Sequence, residues 1–163
     1  MESSEIIALS AVVIALVTTI VSIWQGYLNR QYYRLSTKPH LIIDQCAVID
    51  TPHKFILKNN GLGPAIIKDF SISIDGHDIE RSPNSVKESL IALNLDKAGY
   101  FSHIPTIGEA ISVGDTIIII DIDLDDKTYD LMKDDLKQLG TRLEFKITYS
   151  SIYGQTFNYK GNC

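Results

Sequence analysis

The stretch IIALSAVVIALVTTIVSIW, Ile6 to Trp24, holds nineteen consecutive residues without a charge, a proline or a glycine. As an α-helix it would be about 28 Å long, close to the ~30 Å hydrocarbon core of a bilayer. Trp24 ends the stretch and Tyr27 follows, and both side chains favour the membrane interface. The sequence therefore predicts one transmembrane helix over residues 6–24.

Two alternatives fit this stretch less well. A cleaved signal peptide would begin with positive charge and end at a small-residue cleavage site. This chain begins MESSE, and its apolar stretch meets the bulky Trp24 and Tyr27. A buried core helix would carry polar residues at a period of 3.6, and the stretch has no charged face.

Flanking charge predicts the orientation of the helix. Glu2 and Glu5 precede it, whereas Arg30, Arg34 and Lys38 follow it before any acidic residue occurs. The positive-inside rule then places the N-terminus outside and the C-terminal part in the cytoplasm. The expected location is the inner (cytoplasmic) membrane, with a single pass.

Small and hydroxyl side chains recur on one face of the predicted helix at spacings of three and four. This stripe consists of Ala8, Ala11, Ala15, Thr18 and Ser22. Small residues let helices approach closely in lipid, and hydroxyl groups hydrogen-bond across the contact. The stripe favours a homo-oligomer formed through the helix, although Ala, Thr and Ser are common enough in such helices for it to arise by chance.

The charge and hydropathy pattern divides the chain into four parts. They are a short extracytoplasmic tail at 1–5, the transmembrane helix at 6–24, a juxtamembrane stalk and joint at 25–39, and a cytoplasmic β-rich domain at 40–163. The stalk continues the helical pattern until Pro39, because the residue before a proline is pushed out of the helical region. Cys46 and Cys163 do not resemble a secreted disulfide framework, which agrees with a cytoplasmic domain.

Period-two alternation dominates the domain. Phe70, Ile72 and Ile74 alternate with polar residues, and Leu143 to Tyr149 alternates in the same way. The strand candidates are Leu41–Ile49, Lys54–Lys58, Asp69–Asp75, Tyr100–Ile104, Thr116–Leu124, Arg142–Tyr149 and Thr156–Tyr159.

Two segments are typical of helices. Pro83–Leu93 has Ser82 as its N-cap, and Thr128–Leu139 has Gly140 as its C-cap. The predicted fold is mainly β: a single N-terminal transmembrane helix, then a β-sandwich or open barrel with one or two short helices.

Charge restricts the partners of the domain. From residue 40 onward twelve Lys and Arg stand against eighteen Asp and Glu, a net charge of about −6. Long nucleic acid needs a basic face and is therefore not expected as a partner. The expected partners are the lipid bilayer, a second copy of the chain and a small ligand held by a few local donors.

No motif predicts catalysis, a metal site or a cofactor. Gly61-Leu62-Gly63 has Ile66 where a dinucleotide loop needs its third glycine, and it lacks the lysine of a P-loop. We interpret it as a tight turn before a strand. The four histidines have no metal-ligand spacing, and neither cysteine has a neighbouring histidine.

Three segments resemble a broad set of bacterial proteins of unassigned activity. They are Lys58–Ile67, with the sequence KNNGLGPAII, Tyr149–Gly154, with the sequence YSSIYG, and the junction formed by Leu35, Ser36, Pro39, His40 and Leu41. In those proteins one N-terminal membrane helix precedes a β-rich domain. The resemblance implies a shared fold and no particular chemistry.

A second resemblance is one of architecture. Small bacterial antiviral effectors, including membrane-anchored accessory effectors of type III CRISPR systems, pair membrane helices with a cytoplasmic β-rich domain that senses a cyclic oligonucleotide. That resemblance implies a membrane-anchored sensor-effector that binds a nucleotide second messenger and perturbs the membrane. No residue motif carries it.

The candidate ligand residues lie at the glycine-rich turn and at a later tyrosine. Lys58, Asn59 and Asn60 offer hydrogen-bond donors, and Tyr153 offers a ring for stacking. An alternative function is a membrane-tethered adaptor, in which an exposed sheet edge recruits a protein partner without ligand or catalysis.

Overall fold

The structure, a computed structural model, describes residues 3–46, 53–82, 84–123 and 126–162. The chain divides into two units, the first ending at Ser36 and the second beginning at Thr37. The second unit, called the β-rich unit below, thus begins ahead of the predicted boundary at residue 40.

The first unit is one helix, α1, which runs from Ser3 to Ser36 over 34 residues. It includes the predicted apolar stretch and the predicted stalk as far as Ser36. None of its described residues is buried within the chain. The helix is long enough and apolar enough to cross a membrane.

The β-rich unit contains two antiparallel sheets. Sheet A has the strand order β1-β2-β7-β5. Its strands are β1 Leu41–Cys46, β2 His53–Asn59, β5 Gly99–Ser102 and β7 Thr116–Asp123. The predicted end of β1, residues 47–49, and Leu124 of β7 lie outside the described residues.

Sheet B has the order β4-β3-β8-β9, and β6 also pairs with β3. Its strands are β3 Ala65–Ile74, β4 His77–Ile79, β6 Ala110–Ile111, β8 Leu143–Ser150 and β9 Thr156–Asn162. The sequence prediction missed β4 and β6. They span only three and two residues, too few for an alternation pattern to appear.

The inward faces of the two sheets form the core, as in a β-sandwich. Phe55 of sheet A packs against Phe145 of sheet B with ring centroids 5.4 Å apart, and Phe70 lies 6.1 Å from the same ring. The alternating residues predicted to face inward on β8 are all buried. The predicted β-rich fold is therefore confirmed, and it is a two-sheet sandwich.

The two predicted helices exist with different ends. Helix α2 spans Ser85–Ala92 with Asn84 as its N-cap, so the prediction of Ser82 as N-cap is wrong. The Ser82 hydroxyl accepts a hydrogen bond from the Asn84 N–H at 3.2 Å, which closes a turn ahead of the helix. Pro83 lies outside the described residues.

Helix α3 spans Asp126–Arg142 and passes through Gly140, so the prediction of a C-cap at Gly140 is wrong. The helix continues because Arg142, its last residue, is fixed to the β3–β4 turn. Its carbonyl accepts a hydrogen bond from the Asp75 N–H at 3.0 Å, and its guanidinium pairs with the Asp75 carboxylate at 2.7 Å. Strand β8 then begins at the next residue.

Candidate functional site

The predicted ligand residues lie at the end of the β-rich unit where the chain enters it. We call residues Thr37–His40 the connector, and this end of the sandwich the connector end. Asn60 is exposed in the turn after β2, and Lys58 is half-buried on β2. Tyr153 is exposed in the turn between β8 and β9. These side chains share one end of the sandwich.

Asn59 is fully buried, with 0% of its surface exposed. Its amide nitrogen donates to the carbonyl oxygens of Gly63 at 2.9 Å and Ile111 at 3.0 Å. Its amide oxygen accepts from the backbone N–H groups of His40 at 3.2 Å and Gly61 at 3.0 Å. Two donors and two acceptor sites are all that an asparagine amide has. Asn59 therefore has no surface or spare hydrogen-bonding capacity for a ligand in this conformation.

The two glycines of the same turn are required by close approach to the connector. A Cβ atom on Gly61 would lie 2.2 Å from the His40 nitrogen. One on Gly63 would lie 2.1 Å from the Thr37 carbonyl oxygen. Neither distance is possible for real atoms, and in both cases the obstacle is backbone. Because Gly61 and Gly63 have no Cβ atom, the connector backbone can lie directly against this turn.

Backbone and side-chain contacts complete this attachment. The Asn60 N–H donates to the His40 carbonyl at 2.8 Å, and the Leu62 N–H donates to the Lys38 carbonyl at 2.9 Å. The Leu41 N–H donates to the Tyr149 hydroxyl at 3.4 Å. The Lys38 ammonium lies 5.4 Å from the centroid of the Phe157 ring, in reach of a cation–π interaction.

The glycine-rich turn is thus a latch for the connector, a role that the sequence prediction missed. One signal could have revealed it. The resemblance described above joins this turn and the Leu35–Leu41 junction in the same set of proteins, and a contact between the two segments accounts for their joint presence. We call Asn59, Gly61 and Gly63 the latch.

A second distinctive surface lies on β5, which forms one edge of sheet A. Tyr100 and Phe101 on this strand are 40% and 64% exposed. Within the described residues no strand pairs with the outer side of β5. A backbone edge with exposed aromatic side chains is a template for pairing with another chain.

Two depressions flank this edge. The first lies between α2 and β5 and is lined by Lys87, Leu90, Ile91, Leu95, Asp96 and Tyr100. The second is lined by Gly99, Tyr100, Phe101, Asp121 and Asp123. Tyr100 borders both. Asp121 is paired with Lys54 at 2.8 Å, whereas no ion pair is found for Asp123 in the described part of the chain.

Glu109 organises the turn from His103 to Glu109 at the connector end. Its carboxylate accepts from the Thr106 N–H at 2.8 Å and lies 3.2 Å from the His103 ring nitrogen. Burial alone would raise the pKa of Glu109, but the Thr106 and His103 hydrogen bonds outweigh it and lower that pKa below its usual value. The ionised carboxylate therefore stabilises this turn through its hydrogen bonds to Thr106 and His103.

Two further ion pairs connect the β3–β4 hairpin to its neighbours. The hydrogen bond from Arg142 lowers the pKa of Asp75, against a smaller opposing effect of burial. The hydrogen bond to Asp78 raises the pKa of Lys146. Both pairs are solvent-exposed and contribute little to stability.

The small-residue stripe on α1 keeps its hydroxyl groups within the helix. The Ser22 hydroxyl donates to the Thr18 carbonyl at 2.8 Å, and the Thr18 hydroxyl donates to the Ile14 carbonyl. This back-bonding satisfies polar groups that would be costly in lipid. Ala8, Ala11 and Ala15 are exposed on the helix surface. Self-association through the stripe stays a prediction.

No group of three His, Cys, Asp or Glu side chains could hold a metal ion within residues 3–46, 53–82, 84–123 and 126–162. Comparison with known families gives a match over residues 6–161 to the family described as Domain of unknown function (DUF8453). No curated protein matches the chain. The family match spans both units, from the apolar helix to β9.

Proposed function

The chain belongs to the DUF8453 family over both of its units, and we propose that it is a membrane-tethered adaptor. In this proposal α1 anchors the chain, the latch fixes the connector within the β-rich unit, and the β5 edge binds an extended segment of a partner protein. The observation that carries the proposal is the β5 edge, with which no further strand of the described residues pairs, and its exposed Tyr100 and Phe101.

The membrane part of the proposal follows from α1. Its length and composition suit a bilayer span. Arg30 and Arg34 follow the apolar stretch, so the positive-inside rule puts the β-rich unit in the cytoplasm. Self-association through the stripe would present several β5 edges together and raise the avidity for a repetitive partner.

The β5 edge also defines the chemistry of the partner. Strand addition takes affinity from main-chain hydrogen bonds and specificity from alternate side chains. One side chain of the partner would enter the depression beside α2, where Leu90, Ile91 and Leu95 favour an apolar residue. The neighbouring depression holds Asp123 and favours a basic residue. The expected ligand is an extended peptide that combines apolar and basic residues.

A peptide selection tests this proposal. The full chain in nanodiscs is used to select binders from a displayed library of random twelve-residue peptides. Phe101→Lys places a charge on the edge and should abolish binding of the selected peptides, because edge lysines oppose strand addition. Gln155→Lys, the same kind of charge change in an exposed turn of sheet B, should leave binding intact.

Hydrogen exchange locates the bound peptide. The proposal expects new protection of amides in β5 when the peptide binds. Equal binding by the Phe101→Lys and Gln155→Lys variants would overturn it, as would protection confined to β1 or β9.

A second candidate function is the sensor-effector that perturbs the membrane in response to a cyclic oligonucleotide. This candidate is favoured by the backbone hydrogen bonds that join Asn60 and Leu62 directly to the connector. A ligand held by Lys58, Asn60 and Tyr153 would act on residues adjacent to the anchor. Asn59 would act by holding the latch and not by contacting the ligand.

Thermal unfolding of the full chain in nanodiscs with a panel of cyclic oligonucleotides, including cyclic tetra-adenylate, tests the second candidate. A rise in melting temperature that is lost in the Tyr153→Ala variant would support it. No shift with any member of the panel would exclude it in favour of the adaptor.

A further inference from the structure

Strand β5 differs from the other strands at the ends of the two described sheets. These four end strands are β1, β5, β4 and β9. Asp44, Asp78 and Lys160 give β1, β4 and β9 a charged residue each, whereas β5 contains none. Charged side chains on an edge strand oppose pairing with another chain. Among these four strands, β5 therefore lacks the usual protection against strand addition.

The hydrogen-bonding groups of β5 alternate between β7 and the open edge. The His103 N–H donates to the Ile119 carbonyl at 3.0 Å, which continues the register of β5 and β7. In an antiparallel ladder this pattern directs the backbone groups of residues 99, 101 and 103 to β7. The N–H and C=O groups of Tyr100 and Ser102 then point to the open edge, where they have no partner within the described ranges.

We propose that a second copy of the chain closes this edge, through two β5 strands that pair antiparallel about a two-fold axis at Phe101. In this register Tyr100 of each copy pairs with Ser102 of the other, and the two pairs form four backbone hydrogen bonds. A register centred on Tyr100 or Ser102 would instead need the backbone of Ala98 or Ile104, which lie outside β5. A two-fold contact of this kind uses the same residues from both copies.

The sizes of the side chains match in this register. Residues that are directly opposite each other lie on the same face of a sheet. The large Tyr100 is opposite the small Ser102, and Gly99 is opposite His103. The central pair consists of two Phe101 rings, each 64% exposed in the single chain, at a position where opposite residues approach most closely. Aromatic cross-strand pairs stabilise a sheet, so β5 is complementary to itself.

Charge favours the same register. Asp123 of β7 is opposite Gly99, so His103 of the second copy would lie on the far side of that glycine. The two backbones are then two strand spacings apart, about 10 Å, and Gly99 has no side chain to separate Asp123 from His103. In the described ranges Asp123 has no ion pair, and His103 uses only Nε2 in its contact with Glu109. The pair thus brings a carboxylate beside the remaining ring nitrogen of a histidine.

Self-pairing would regulate the edge that the adaptor uses. A partner segment and the β5 strand of a second copy need the same backbone groups of Tyr100 and Ser102, so one excludes the other. In this respect the inference rests on the proposed function, because a partner segment must displace the second copy before it binds. A nanodisc that holds a single chain has no second copy, and the edge stays open there for the peptide selection.

Disulfide cross-linking tests the register in the full chain. Cys46 and Cys163, the two native cysteines, are first replaced by Ser. Phe101→Cys or His103→Cys is then added, and the chain is reconstituted into phosphatidylcholine vesicles and treated with a mild oxidant. At the axis the two Cα atoms of residue 101 would be about 4.5 Å apart, within disulfide range, whereas the two residues 103 would be about 14 Å apart along the strands.

Phe101→Cys should therefore form a cross-linked dimer at least roughly tenfold faster than His103→Cys. Tyr100→Cys and Ser102→Cys should cross-link when the two variants are mixed and not when each is alone, because each position faces the other in the second copy. Copies that merely collide, or that associate through α1, would cross-link at similar rates at all positions. Such equal rates, or no cross-link at residue 101, would overturn the inference.

The peptide selection separates this result from the fate of the adaptor. Peptide bound at β5 should suppress the cross-link between Tyr100→Cys and Ser102→Cys, and a cross-link that saturating peptide leaves unchanged would refute the competition. If the dimer cross-links in the expected register but no peptide can be selected, the adaptor alone fails. If peptides bind at β5 but no cross-link forms, self-pairing alone fails.

Discussion

The backbone N–H of His40 donates a hydrogen bond to the side-chain oxygen of Asn59, nineteen residues later in the chain, at 3.2 Å. This bond joins the first residues of the β-rich unit to the end of β2. It belongs to a buried amide with four partners, so one side chain joins the connector to the turn after β2 and to Ile111.

Asn59→Ala should destabilise the β-rich unit by about 2–4 kcal/mol, because it leaves buried backbone donors and acceptors without partners. Chemical denaturation of the full chain in detergent, monitored by far-UV circular dichroism, measures the change. Asn60→Ala, at the exposed neighbour, should stay within about 0.5 kcal/mol of the native chain. Equal losses in the two variants would show that the buried amide is dispensable.

Gly63→Ala should destabilise the unit by about 2–3 kcal/mol, since the added methyl group meets the Thr37 carbonyl and the backbone must move. Exchange of the Leu62 amide hydrogen, which is bonded to Lys38, should become faster. Gly26→Ala is the matched control, because a Cβ there meets nothing within 4 Å. Unchanged Leu62 exchange in Gly63→Ala would contradict the latch.

Glu109 makes the stability of its turn depend on pH. Its pKa is lower in the folded chain than in the unfolded chain, so its stabilisation is present above the unfolded value of about 4.3. That stabilisation is lost as the pH falls through the lowered folded pKa. Glu109→Gln should remove this dependence, with an effect below about 1 kcal/mol because the group is partly exposed. If the native chain and the Glu109→Gln variant give identical denaturation curves from pH 3 to pH 7, Glu109 does not make the stability depend on pH.

Replacing both Ala11 and Ala15 by Leu should weaken self-association, because the larger side chains keep helices apart. Sedimentation of the full chain in detergent measures the oligomer. Val13→Leu with Val17→Leu enlarges the opposite face of α1 and serves as the control. An oligomer that survives the alanine changes would exclude the stripe as its contact.

Protease added to spheroplasts should leave the β-rich unit uncut if, as proposed, the positive charges after the apolar stretch orient it to the cytoplasm. Replacing Arg30 and Arg34 by Glu removes most of that bias and should expose a fraction of the chains to cleavage. Complete cleavage of the native chain would reverse the assigned orientation.

The strands with clear alternation could be predicted from the sequence. Phe145 and Ile147 repeat at a period of two over the full length of β8, and that pattern reports a half-buried strand directly. The ends of α3 could not be predicted, because Arg142 is held by Asp75, a partner from a distant turn.

The roles of the site residues depend on distant partners in the same way. One hydrogen bond of Asn59 reaches Ile111, and the need for glycine at residue 63 comes from the Thr37 backbone. The residues from Asn59 to Gly63, taken without these distant partners, predict only a turn. The position of β5 at an edge likewise follows from the pairing order of four strands, which no single strand encodes.

The order of the Asn59 partners along the chain has a consequence for synthesis. His40 precedes Asn59 by nineteen residues and Gly63 follows it by four, whereas Ile111 is made about fifty residues later. All four partners of the Asn59 amide therefore precede β8 and β9 in the order of synthesis. The side-chain hydrogen bonds that fix the connector to the turn after β2 thus need no residue from the last two strands of the sandwich.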